Sequence, residues 1–177
     1  MEKVRSNLLF FEPLWYNCFG DKMKKGLKDV LFFGVIFVVI DQIVKIVISN
    51  KMILNQTYIV IKDFFSISLV HNTGAAFSIL SDSRILLIVI GLLALIGLIF
   101  YIKNLEVMDD IDIFSYSLLL GGLVGNLIDR IIHGYVIDYL SFKFGNYYFP
   151  IFNFADICIV IAILIILIRM IKEDLWK

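Results

Sequence analysis

The sequence predicts an all-α polytopic membrane protein, with four transmembrane helices and a small extracytoplasmic sheet. Three observations carry that prediction. The 177 residues are 60% hydrophobic and 18% charged, whereas a soluble domain averages about 45–50% apolar and about a quarter charged. Four apolar runs, two of them without any charge, each approach the roughly 20 residues needed to cross a bilayer. The basic residues cluster on one side of those runs. Sixteen basic and sixteen acidic residues give no net charge, which argues against nucleic acid as a partner. Two cysteines, Cys18 and Cys158, do not make a disulfide scaffold or a zinc site.

Taken along the chain, residues 1–22 read as a dispensable extension before Met23-Lys24-Lys25. Leu8–Phe11 is too short for a signal-peptide core and no small-residue cleavage pattern follows. Residues 23–177 then form a single domain. The first span is expected over 29–49, interrupted by Asp41 and Lys45; the second over Ile85–Ile102. The third runs over Ile113–Ile128 and is closed by Asp129 and Arg130. The fourth runs over Pro150–Ile168, with Asn153 and Asp156 in its first two turns.

Ten basic residues fall before the first span, after the fourth and at Lys103 between the second and third. Five (Lys51, Lys62, Arg84, Arg130 and Lys143) fall on the other side. By the positive-inside rule both termini are cytoplasmic. Segments 50–83 and 130–149 are then extracytoplasmic. In the first, Phe65, Ile67 and Leu69 alternate with Ser66 and Ser68, which predicts a strand. Phe142, Phe144, Tyr147, Tyr148 and Phe149 suit an interfacial aromatic belt where the fourth helix begins.

Ionisable groups within a span are costly and are usually paired or functional. Asp41 lies about nine residues, or about 13 Å, from the outer end of the first helix. Lys45 is one turn further out and faces it at i, i+4 as an internal pair. Asn126, Asp129, Arg130, Asp138, Asn153 and Asp156 also fall in the outer half or the outer loops. A channel needs polar groups along its whole path; a site acting at the outer surface needs them at one depth. Gly121, Gly122 and Gly125 supply small residues for close helix packing. Asp138 and Asp156 have no sequence-local basic partner. They read either as hydrogen-bonded structural aspartates or as a pair sharing one proton, able to activate water and protonate a leaving amine.

Several blocks together resemble lipoprotein signal peptidase, the bacterial signal peptidase II family. They are Asp41-Gln42-Ile43-Val44-Lys45; Asn72-Thr73-Gly74-Ala75-Ala76-Phe77-Ser78; Gly121 through Arg130 continuing into Gly134–Tyr139; and Phe152-Asn153-Phe154-Ala155-Asp156. The resemblance covers about 23–171. It implies a four-helix aspartic protease of the bacterial plasma membrane, with a small extracytoplasmic β-cradle, an active site near the outer face and no metal or cofactor. It implies cleavage of lipidated prolipoprotein substrates just before a diacylglyceryl-modified cysteine, by a monomer among membrane lipids. Asp138 and Asp156 take the catalytic positions. Asn72, Asn126, Asp129, Arg130 and Asn153 take positions that shape the site and hold substrate, and Asp41 with Lys45 a structural one. Two departures stand out: Tyr139 where phenylalanine is usual, and Ala162 where glycine often occurs.

Two rivals remain from the sequence. One is a Ser–Lys protease using Ser78 and Lys45, which conflicts with pairing of Lys45 to Asp41. The other is a non-enzymatic lipid or peptide carrier. His71 and His133 read as lone loop residues without a metalloprotease pattern, and Cys158 as a packing residue.

Overall fold

The computed structural model describes residues 25–74 and 83–175. Ser78, Cys18 and the 1–22 extension lie outside the described residues. Among them are four helices and four strands: α1 (Lys25–Lys51), β1 (Thr57–Ile61), β2 (Phe65–Asn72), α2 (Arg84–Asn104), α3 (Asp110–Ile132), β3 (Val136–Phe144), β4 (Tyr147–Tyr148) and α4 (Phe154–Leu175). All four helices are long and apolar enough to cross a membrane. Their outward surfaces carry exposed Phe33, Ile43, Leu93, Phe100, Val160 and Leu164, as expected where the solvent is lipid.

α3 is the central helix and packs against the other three. It is the most glycine-rich, and each glycine serves a close approach. A Cβ at Gly121 would meet Phe37 of α1, and one at Gly122 the Ala155 carbonyl of α4. One at Gly125 would lie 2.5 Å from Asp41 Oδ2. The helix ends remote from the sheet pack Leu27, Val30, Leu98, Ile102, Tyr116 and Leu120 into one apolar cluster. There Asp109 and Asp112 form a reciprocal capping box on α3, and Arg169 of α4 reaches Asp109 at 2.7 Å. At the other end α3 stops at Gly134, whose φ of +86° suits glycine. Arg84 of α2 donates to the carbonyls of Arg130 (3.0 Å) and Ile131 (2.8 Å), a cation at the negative end of the helix.

Of the helix boundaries that differ from the expected spans, two bear on the site. α3 continues to Ile132, so Asp129 and Arg130 are inside the helix rather than closing it. α4 begins at Phe154, so Pro150–Asn153 is not helical. The physical reason differs between the two places. Asp129 is satisfied by Lys45 and the Ile137 amide and so does not mark an end, whereas Asn153 caps the first turn with Asp156 and so does.

The strands form one antiparallel order, β1-β2-β3-β4. β1 and β2 turn at Asp63, whose φ is 59°; β3 and β4 turn through Gly145-Asn146. The aromatic residues expected as a belt are partly built into this sheet, with Phe144, Tyr147, Tyr148 and Phe149 exposed. Phe142 of β3 stacks on Phe65 (4.8 Å) and on Phe152 (5.8 Å), and Phe149 meets Phe152 edge-on. Phe152 also pairs with Leu140 of β3. The sheet is thereby fastened to the chain just before α4, which positions β3 against the first turn of that helix.

Candidate active site

The polar residues singled out from the sequence converge where α1, α3, β2, β3 and the start of α4 meet. They form two layers. In the lower layer Lys45 reaches Asp41 Oδ2 at 2.8 Å and Asp129 Oδ2 at 2.9 Å, with all three side chains 1% exposed. Its remaining contact is Asn126 Oδ1, at 3.0 Å. An ammonium has three N–H donors, and here each has an acceptor. The i, i+4 pair is thus a three-member cluster closed by α3. Gln42 adds bonds to Asp41 (3.2 Å), Asp129 (3.0 Å) and the Gly125 carbonyl (3.2 Å). Asp129 Oδ2 also accepts from the Ile137 amide, tying the start of β3 to α3.

The upper layer is built of asparagines and two carboxylates. Asp138 sits mid-strand on β3 and is 2% exposed. Its Oδ2 accepts from Asn72 of β2 at 2.9 Å and its Oδ1 from Asn153 at 2.7 Å. The Asn153 amide also donates to Asn126 Oδ1 at 3.1 Å. Asn126 in turn donates to Asp156 Oδ1 at 2.8 Å. Asp156 and Asn153 form a capping box: the Asn153 amide N–H bonds Asp156 Oδ2 (3.2 Å) and the Asp156 N–H bonds Asn153 Oδ1 (3.0 Å). Every asparagine orients a carboxylate with an N–H donor while its own carbonyl oxygen is held from elsewhere. For Asn72 the holder is the Gly74 amide, at 2.9 Å.

Burial, and then the charge of Asp156, push the Asp138 carboxyl up to about 7, against the bonds from Asn72 and Asn153. Asp138 and Asp156 both line a cavity of about 680 Å³. Asn72, Asn126 and Arg130 complete its polar wall; Leu87, Leu123 and Ile157 are among the residues of its apolar wall. Arg130 donates to the Gly74 carbonyl at 3.2 Å, and its buried Nε has no partner among the described residues. A guanidinium with spare donors on a cavity wall is suited to peptide carbonyls.

Six of the predicted site residues therefore reach this cavity or the carboxylates on it: Asn72, Asn126, Arg130, Asp138, Asn153 and Asp156. Asp129 belongs to the lower layer with Asp41 and Lys45. The histidines are not loop residues. His71 lies on β2 and His133 caps the end of α3. Both stack on Tyr135 (3.7 and 5.7 Å) and line a separate cavity. Cys158 is buried against Leu118 and Ala162. Among the described residues no cluster of three or more His, Cys, Asp or Glu side chains is placed to hold a metal ion. Sequence reasoning passed over Gln42 and the Tyr139 hydroxyl. Gln42 stands beside Asp41 within the first quoted block, and that adjacency was the signal.

The geometry has counterparts. The family model for signal peptidase (SPase) II matches residues 33–172. The chain is 36% identical over 144 residues to the lipoprotein signal peptidase of Symbiobacterium thermophilum, covering 81% of this chain and 95% of that one. It is 38% identical over 141 residues to that of Clostridium tetani, covering 79% and 90%. Two bacterial membrane enzyme structures determined by the in meso method, at 2.3 and 1.9 Å resolution, superpose with TM-scores of 0.76 and 0.73, each at 32% identity. They cover 82% and 81% of this chain and 88% and 93% of their own. With this match spanning α1 to α4 and every polar residue of both layers, the chain belongs to the signal peptidase II family and is a membrane protease.

Proposed function

We propose that the protein is an aspartic endopeptidase that removes the signal peptide from diacylglyceryl-modified prolipoproteins, cutting just before the lipidated cysteine. The observation that carries this reading is the linkage of Asp138 and Asp156 through Asn153 on the wall of one mostly apolar cavity. Two nearby carboxylates in a poorly hydrated place share a proton. Asp156 stands in the first turn of α4, where the positive helix end favours a carboxylate. Asp138, on a strand and pushed up to about 7, holds the proton. Asp156 takes a proton from water as its oxygen attacks the scissile carbonyl carbon. Asp138 gives its proton to the carbonyl oxygen. The tetrahedral intermediate then collapses: Asp138 takes back the proton from the former carbonyl oxygen as C=O re-forms, the C–N bond breaks, and the proton on Asp156 passes to the leaving amine. The apolar wall suits the lipid chains of the substrate, and Arg130 suits its backbone carbonyls.

The excess of basic residues at both ends supports cytoplasmic termini and a site near the outer face of the bacterial plasma membrane. We take the working unit as a monomer of residues 23–177, so truncation to Met23 should keep full activity. The test is incubation of the purified protein with a diacylglyceryl-modified prolipoprotein, followed by mass analysis of the products. A free signal peptide and a lipidated cysteine at the new N-terminus support the reading. Binding of the substrate without a cut bond supports the carrier instead.

A further inference from the structure

The first turn of an α-helix leaves amide N–H groups without intrahelical partners. At the start of α4 each of these has a side-chain acceptor. The Asn153 N–H has Asp156 Oδ2 (3.2 Å), the Ala155 N–H has Asp41 Oδ1 (3.1 Å) and the Asp156 N–H has Asn153 Oδ1 (3.0 Å). The fourth, on Phe154, donates to the hydroxyl oxygen of Tyr139 at 3.2 Å. Three of these acceptors belong to the two polar layers. Tyr139 is the one that comes from neither.

Tyr139 directly follows Asp138 on β3 and is 4% exposed. It holds the approach to α4 at two points. Its backbone N–H donates to the Phe152 carbonyl at 3.0 Å, and its hydroxyl accepts from Phe154 two residues later. The strand bearing Asp138 and the helix turn bearing Asp156 are clasped by one residue. Burial, and the charges of Asp41, Asp156 and Asp138, keep the phenol above its ordinary range. It is a neutral hydrogen-bonding group at working pH, and it does not exchange protons with the dyad.

We infer that Tyr139 is a positioning residue for the cleavage reaction: its hydroxyl caps the Phe154 amide and thereby fixes the first turn of α4, and Asp156 with it, against Asp138. The inference rests on the proposed role of the two aspartates. A phenylalanine here would fill the same space and leave the Phe154 N–H uncapped. Asn153 and Asp41 would still hold the neighbouring amides, so the turn would loosen without unravelling.

The test is Tyr139→Phe in the full chain, purified in detergent and assayed with a diacylglyceryl-modified prolipoprotein, with the thermal midpoint measured alongside. The expected result is a kcat lower by about five- to tenfold, the size of one lost cap hydrogen bond, with KM within about twofold. Phe154→Pro removes the same hydrogen bond from the amide side at a position that tolerates proline. It should lower kcat similarly, and adding Tyr139→Phe to it should cost little more. A kcat equal to that of the unsubstituted enzyme overturns the inference, whether or not the thermal midpoint falls, as does a change confined to KM. Asp138→Asn and Asp156→Asn run beside it. If both keep cleaving, the dyad itself fails; if both are inactive while Tyr139→Phe is normal, only the positioning role fails.

Discussion

Asn153 and Asp156 hold each other reciprocally, N–H to Oδ2 at 3.2 Å and N–H to Oδ1 at 3.0 Å, while the Asn153 side-chain amide reaches Asp138 at 2.7 Å. One residue is thus both the cap of α4 and the bridge between the two proposed catalytic carboxylates. Asn153→Asp separates these roles. Aspartate is as good a cap acceptor as asparagine, but it cannot donate to Asp138 and adds a third carboxylate. The variant should remain folded and lose about tenfold or more in cleavage rate, on the scale of a buried hydrogen-bonding group left without its partner. Circular dichroism and a cleavage assay check the two halves.

The raised Asp138 carboxyl has a sign that can be measured. Its value of about 7 lies above the ordinary 3.8, so across that window the folded state holds a proton that the unfolded chain has released. This group therefore makes stability fall as pH rises through the window. Asp138→Asn removes the penalty. Its thermal midpoint should match that of the unsubstituted protein near pH 4 and exceed it by at least about 3 °C at pH 8. The cleavage rate of the unsubstituted enzyme should also fall above about pH 7, as the proposed acid loses its proton.

The lower layer is held by a single ammonium. Lys45→Met leaves Asp41 and Asp129 buried without their cation, and Asn126 without one of its donors. Breaking a buried pair from one side costs about 3–5 kcal/mol. The variant should accumulate poorly in membranes and lose activity through unfolding. Lys45→Met combined with Asp41→Asn and Asp129→Asn should recover accumulation in part, as shown by immunoblotting of membrane fractions.

Two glycines of the bundle should respond oppositely to the same change. At Gly125 an added methyl would lie 2.5 Å from Asp41 Oδ2. Gly125→Ala should therefore destabilise by about 2 kcal/mol or more. At Gly97 an added methyl has nothing within 4 Å among the described residues. Gly97→Ala should be neutral or stabilising by about 0.5–1 kcal/mol, from helix propensity. Thermal midpoints in detergent distinguish the two.

The four spans could be read from the sequence because lipid demands long uncharged runs, and α2, with no charge across Ile85–Ile102, was the clearest. The ends of α3 and the start of α4 were harder. Asp129 looked like a stop, yet it is buried by a lysine 84 positions earlier in the chain. Asn153 looked like part of a helix and is its cap, because capping is settled by backbone geometry rather than residue type. β2 was visible as alternation of Phe65, Ile67 and Leu69. β3 was not, because Val136–Tyr139 is buried on successive residues and so shows no alternation. For the site, residue types and depth narrowed the choice to the outer half, and the resemblance named Asp138 and Asp156. What no local pattern carried was the asparagine relay between them, or the Tyr139 hydroxyl on the Phe154 amide, since each joins segments brought together only by the fold.

The most direct test of the account replaces the two carboxylates one at a time. Asp138→Asn and Asp156→Asn are purified, shown to be folded by their thermal midpoints, and incubated with a diacylglyceryl-modified prolipoprotein while release of the signal peptide is followed. The account predicts no measurable release from either. Release at close to the normal rate by either folded variant would contradict it.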